Sequence, residues 1–220
     1  MKNTYSVVGS IVLLIAFVLM HDSLTKNSFK LGFSWTLASM IPYVVQFIAA
    51  FLVAIQLQTL VNVKKYVYKR LVFTISLVAL CGLAFGINPI YEGDFSNNQQ
   101  QVTMKSNEGD VFDKGLTMVA LPGCPFCFAR IPLLNKLKSR NPSLKITVLI
   151  VSDSQETYDI YDSELVSTIE IAYSPHGQLI AQTTQGRFPA FFFMDRKGGL
   201  VYWNQEGFGT LALDWIEKHH

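Results

Sequence analysis

Cysteine is scarce in this chain of 220 residues, which holds three in all. So small and odd a number excludes a disulfide-stapled scaffold, which needs several paired half-cystines. Histidine is nearly as rare, with four. No second Cys-x-x-Cys and no spaced histidine pair completes the four ligands of a structural zinc site, so no metal is expected. Charge is sparse too, at 15% of residues and a net +2. That balance gives no electrostatic ground for a nucleic-acid partner. The longest apolar runs carry no Asp, Glu, Lys or Arg, so nothing within them marks a proton or ion path.

What the chain has instead is apolar mass: 50% hydrophobic residues and a mean hydropathy of +0.29, concentrated before about Tyr91. Three runs, 5–22, 31–61 and 71–90, approach or exceed the roughly 20 residues that cross a bilayer. The first follows Lys2 and lacks the small residues that a signal peptidase prefers, so it reads as an uncleaved anchor. Pro42 is tolerable inside the second, because neighbouring groups can satisfy the freed carbonyl. Gln46, Gln56 and Gln58 are expected to pair between helices, and the lone Cys81 to be a small apolar side chain. Between the second and third runs stand Lys64, Lys65, Lys69 and Arg70 with no acid among them. By the positive-inside rule this loop is cytoplasmic. Lys2 is then inside, the loop 21–30 outside, and everything after Tyr91 outside. The expectation is a multi-pass protein of the cell (inner) membrane, with residues 1–90 in the lipid bilayer. Residues 91–114, polar and containing Gln99-Gln100-Gln101, read as an extracytoplasmic linker with a short strand around Gln101 to Met104. Residues 115–220 read as a folded domain on the periplasmic or extracytoplasmic side.

In that domain Leu116 to Leu121 reads as a buried strand, followed by Gly123-Cys124-Pro125-Phe126-Cys127. From Cys127 onward Phe128, Ile131, Leu134 and Leu137 recur at helical spacing until Asn141-Pro142. Leu144 to Val151 is a second strand, which makes a parallel βαβ unit. Ser152 to Ser154 offers a cap, and Tyr158 to Ile171 fits helix or strand. A turn at Ser174 to Gly177 precedes a short helix from Gln178, and His176 is expected to be an ordinary turn residue. Arg187 to Met194 and Leu200 to Trp203, joined at Asp195 to Gly199, form a hairpin, and Thr210 to Lys218 a closing helix. A thiol at a helix N-terminus is favoured as thiolate, which makes Cys124 the expected nucleophile. Cys127, one turn on, is placed to resolve a mixed disulfide. On the residues alone, the pair could also be a structural disulfide, or two thiolates holding a partner protein or Cu(I) without catalysis.

The order of elements, Cys124-Pro125-Phe126-Cys127, Pro132 within the helix, Phe188-Pro189 before the hairpin and Gly207 after it resemble thioredoxin-fold oxidoreductases, and among them the membrane-anchored periplasmic group. The resemblance covers about half of the chain, from Leu116 to His220. It implies an α/β thioredoxin-like fold, a mixed sheet flanked by helices; the apolar runs set an all-α transmembrane segment of about three helices before it. It implies that Pro189 is cis beside the cysteines, that the backbone of Phe188 pairs with a substrate chain, that Pro125 and Phe126 also meet it, and that Pro132 kinks the helix. The implied activity is disulfide exchange with cysteine-containing extracytoplasmic proteins, without a cofactor and with a redox partner that recycles the pair. Two positions depart from the pattern: Gly123, where Trp is common, and Met118, where reducing members carry a buried acid. The Pro-Phe dipeptide lies nearer to glutaredoxins and periplasmic oxidants than to dedicated reductants, which leaves the direction of electron flow open.

Overall fold

The computed structural model describes residues 2–61, 66–91, 93–101, 114–151, 155–173, 183–195 and 197–220. The chain divides into two compact units, 1–91 and 92–220.

The first unit is helical: α1 (Lys2–Leu19), α2 (His21–Lys30), α3 (Trp35–Leu60) and α4 (Tyr66–Ile87). Helices α3 and α4 are each long and apolar enough to cross a membrane; α1 and α2 make a third candidate as a pair bent by 66°. Residues 21–30, expected as an outer loop, are thus helical. No Gly or Pro interrupts them, and Asp22 in the first turn with Lys30 in the last complements the helix dipole. The bend frees backbone carbonyls of α1, and Gln46 of α3 and Asn88, just past the end of α4, supply the donors. Gln46 Nε2 donates to the Phe17 carbonyl at 3.3 Å, and Asn88 Nδ2 to that of Val18 at 3.1 Å. Leu14, Val18, Ala49, Ala50, Val53 and Ala84 form the core of the unit, with Cys81 packed against it. Small residues at such a seam let helix backbones approach closely. Pro42 is buried within α3 without ending it. Lys64 and Lys65 lie outside the described residues; Lys69 and Arg70 stand at the start of α4, where Arg70 lies 4.5 Å over the Tyr66 ring.

The second unit holds β1 (Gln100–Gln101), β2 (Gly115–Ala120), α5 (Pro125–Phe128), α6 (Ile131–Arg140), β3 (Ile146–Ile150), α7 (Gln155–Glu164), β4 (Glu170–Tyr173), β5 (Ala190–Met194), β6 (Leu200–Trp203) and α8 (Thr210–His219). The strands form one mixed sheet in the order β1-β6-β5-β2-β3-β4. Strands β2, β3 and β4 run parallel; β5 is antiparallel to β2 and to β6, and β1 antiparallel to β6. The stretch Tyr158 to Ile171 thus resolves into the end of α7 and the start of β4. The expected cap at 152–154, His176 and its turn, and the helix from Gln178 lie outside the described residues.

Alternation along the strands makes two buried faces. On one, Met118, Val148 and Phe191 are level with one another, and Phe193 and Trp203 follow. Two crossovers in the same direction place α6 and α7 on this face. Helix α8 joins them, because Trp215 meets Phe193 and Trp203 edge-on and Glu217 takes a bidentate pair from Arg140 of α6 at 2.9 and 3.1 Å. Val119, Leu149, Ala190, Phe192 and Tyr202 make the other face. The hairpin turn is tied by Asp195, whose Oδ1 accepts from the amides of Lys197 and Gly199 at 2.8 and 2.7 Å.

Two elements differ from expectation. The helix after the cysteines is not one kinked rod from Cys127 but two helices: α5 is one turn long, and Pro132 stands at the first turn of α6. A proline there loses no helical hydrogen bond, so it opens a helix instead of bending one. The stretch 91–114, expected as a spacer, packs into the unit over residues 93–101. Helix α8 has no side-chain N-cap; instead Thr210 N donates to the Asp94 carbonyl at 2.8 Å and Ala212 N to that of Ser96 at 3.2 Å. Trp203 Nε1 donates to Asn97 Oδ1 at 2.9 Å. Orphan amides of a helix start need acceptors, and this segment provides them.

Candidate functional site

Strand β2 ends at Ala120, whose carbonyl takes the last sheet bond from Val151 N at 3.0 Å. The chain then turns through Leu121-Pro122-Gly123-Cys124, closed by Cys124 N donating to the Leu121 carbonyl at 3.4 Å. Proline at the second position and Gly123 at the third, with φ of 63°, make this a type II turn. The turn explains why glycine precedes the first cysteine: a side chain there would have to take a left-handed backbone.

Cys124 is the N-cap of α5, and its Sγ accepts from the amide of Cys127 at 3.2 Å. The two cysteines are joined as a disulfide, with Cα atoms 5.3 Å apart. They are not equally accessible. Cys124 is half-buried and Cys127 fully buried. An attacking or attacked sulfur must be reachable, so the geometry gives Cys124 the outward role. Because α5 is a single turn, a long helix dipole does not stand behind the pair. The direct donor to sulfur is the amide of Cys127.

Between the cysteines Pro125 is exposed and Phe126 is 59% exposed. The Phe188-Pro189 bond is cis. Ala190 pairs with Val119, so Pro189 falls level with Ala120, at the end of β2 from which the cysteine loop leaves. Phe188 is half-buried and packs its ring against the second face of the sheet, so it is its backbone that remains for other contacts. The topology thus puts Cys124, Pro125, Phe126 and Cys127 at the same end of the sheet as Phe188 and Pro189.

Other residues around the loop were not anticipated. Arg130, in the break between α5 and α6, donates to the Gln205 carbonyl at 3.4 Å. Burial pulls its guanidinium below the ordinary range, with Asp94 acting the other way. It sets a cation three residues beyond Cys127. Tyr161 of α7 is fully buried, stacks on Phe128 and donates to the Leu121 carbonyl at 3.0 Å. Burial pushes its hydroxyl up to about 12, so it stays a donor across the neutral range. Met118 is fully buried on the helix-covered face, and that position supplies no proton acceptor to the pair. Gly207, part of the resemblance, stands where a Cβ would meet the Asn98 backbone carbonyl at 3.0 Å.

No family model and no curated protein matches the chain. Among solved structures it is similar to a secreted Mycobacterium tuberculosis disulfide oxidoreductase homologous to E. coli DsbE, at 19% identity over 46% of this chain and 78% of that one, with a TM-score of 0.39. It is also similar to Mycobacterium tuberculosis DsbF in its mixed oxidised and reduced forms, at 17% identity over 49% and 84%, with a TM-score of 0.40. A thioredoxin-like protein from Bacteroides caccae matches at 11% identity over 91% and 76%, with a TM-score of 0.34. On its own strand order, register and crossovers, the C-terminal part of this chain has a thioredoxin-like fold with a Cys-x-x-Cys disulfide, and apolar helices precede it.

Proposed function

We propose that the chain is a membrane-tethered thiol-disulfide oxidoreductase that exchanges disulfides with extracytoplasmic proteins through Cys124 and Cys127. The observation that carries this reading is the disulfide itself: one half-buried sulfur and one buried sulfur, at a sheet end shared with a cis proline.

In the reducing direction, the Cys124 thiolate attacks one sulfur of a client disulfide. A Cys124-client bond forms, the client bond breaks, and the second client sulfur leaves as a thiolate. Cys127, deprotonated, then attacks the Cys124 sulfur. The Cys124–Cys127 bond forms, and the first client sulfur leaves as a thiolate. Two electrons have passed to the client. The same steps in reverse oxidise a client dithiol. A dithiol or disulfide partner of the opposite poise resets the pair. The amide of Cys127, 3.2 Å from the Cys124 sulfur, is placed to stabilise the thiolate in either direction. Pro125, Phe126 and the Phe188-Pro189 backbone form the surface against which a client chain lies.

The domain side follows from the positive charges Lys64, Lys65, Lys69 and Arg70, which lead from α3 into α4 with no acid among them. A cytoplasmic loop there sends α4 outward and leaves the second unit extracytoplasmic. The experiment is Cys127→Ser in the full chain. It removes the resolving sulfur, so mixed disulfides between Cys124 and client proteins should accumulate on non-reducing gels and vanish in Cys124→Ser. A Cys127→Ser chain that captures no cysteine-bearing protein refutes the exchange reading.

A further inference from the structure

We propose that Tyr161 is a positioning residue for the cysteine pair, fixing the turn before Cys124 with its hydroxyl and the helix after it with its ring. This rests on the reading of the pair as redox-active.

The two contacts bracket the loop. The Leu121 carbonyl lies one residue past Ala120, the last β2 residue in the ladder with β3, so no strand neighbour orients it. It accepts from Tyr161 Oη at 3.0 Å and from Cys124 N at 3.4 Å. Its direction sets the peptide planes of the type II turn, and with them where the Cys124 sulfur sits. On the other side, Phe128 stacks on the Tyr161 ring with centroids 4.4 Å apart and an interplanar angle of 17°. Phe128 N in turn donates to the Cys124 carbonyl at 3.2 Å. One side chain from α7, 40 residues along the chain from Leu121, thus holds both ends of the segment that must keep the Cys127 amide aimed at the Cys124 sulfur. A buried tyrosine hydroxyl needs a partner. Here the partner it takes is the carbonyl that closes the active turn.

The donated N–H stabilises the thiolate more than the thiol, so slack in the turn raises the Cys124 pKa and disfavours the reduced pair. Tyr161→Phe keeps the ring and removes one oxygen. In the full chain in detergent, reduced and alkylated with iodoacetamide across pH, with Cys124 read by peptide mass spectrometry, the variant should shift the profile upward. A shift of half to one unit is a slowing of about 3- to 10-fold on the acidic limb. The couple should become more reducing by up to about 30 mV, the equivalent of tenfold. A purely structural role would lower the melting temperature and leave both readouts in place.

Phe128→Leu keeps the hydroxyl and removes the stack; it should move the same profile in the same direction, and it decides the matter if Tyr161→Phe does not fold. Unchanged profile and potential in the folded variant overturn the proposal. Failure of the redox reading is distinguishable, because then the parent chain itself shows an ordinary thiol at Cys124 and no client capture in Cys127→Ser.

Discussion

Gly123 separates backbone demand from space. Its φ of 63° lies in the left-handed region, yet a Cβ built there meets nothing within 4 Å. Substitution therefore costs conformation alone. Gly123→Ala should lower the unfolding free energy of the oxidised chain by about 1 kcal/mol, and Gly123→Asn by less, since Asn visits this region more readily. Urea titrations followed by tryptophan fluorescence would show the order; an equal loss for both, or none, would mean the turn is not held as described. The turn is legible in the sequence as Pro122-Gly123 at its two central positions, the dipeptide that a type II turn takes. Tyr161 was not legible. No local pattern distinguishes it from Tyr158, and its role arises only when α7 is laid beside α5. The cysteines carry their own signal: spacing and flanking elements set the expectation of an outer and a resolving sulfur, and the structure has Cys124 half-buried and Cys127 buried.

At the scale of elements, the strands and the parallel βαβ unit could be read from apolar runs, whereas what holds the edge of the domain could not. Residues 93–101 look like a spacer because they are polar and have no periodicity. Their structure comes from backbone groups: carbonyls 94 and 96 cap α8, and Ser96 Oγ donates to the Glu206 carbonyl at 2.6 Å. Composition does not encode such long-range backbone pairing. Its trace in the sequence is Gly209, where a Cβ would press on the Gly93 carbonyl, the Ser96 amide and the Asp94 carbonyl. Gly209→Ala must displace that segment and disturb up to three bonds, from Gly209, Thr210 and Ala212 to carbonyls 94 and 96. At about 1 kcal/mol each, the loss should be roughly 2 to 3 kcal/mol. Limited proteolysis should then cut between 91 and 101 faster than in the parent chain. An unchanged cleavage rate would show that the segment does not depend on this close approach. Pro132 teaches the complementary lesson: its presence near the helix was evident, but whether a proline kinks or opens a helix depends on where the preceding turn stops, and α5 stops at Phe128.

For the whole molecule, the proposed side of the membrane depends on one helix. Whether the bent pair α1 and α2 spans or lies at the interface changes where Lys2 resides, inside with three spans and outside with two. It does not change the fate of the second unit. That unit follows α4, and in the proposed topology Lys64, Lys65, Lys69 and Arg70 orient α4 by marking its N-terminal end as cytoplasmic. Replacing all four with Gln should remove the bias and give chains of mixed orientation. The readout is Cys124 in a Cys127→Ser background, first released from captured clients by a brief treatment with a membrane-impermeant phosphine reductant; the remaining thiol, Cys81, is packed against the helical core of the first unit. A membrane-impermeant maleimide should label Cys124 in intact cells, or in spheroplasts where an outer envelope blocks access, and a fraction of the four-Gln chains should become protected until permeabilisation. Labelling of the parent chain only after permeabilisation would place the domain on the cytoplasmic side and remove extracytoplasmic clients from the proposal. A tag on the N-terminus, assayed for protease access in the same samples, then separates two spans from three, because only the two-span arrangement exposes it together with Cys124.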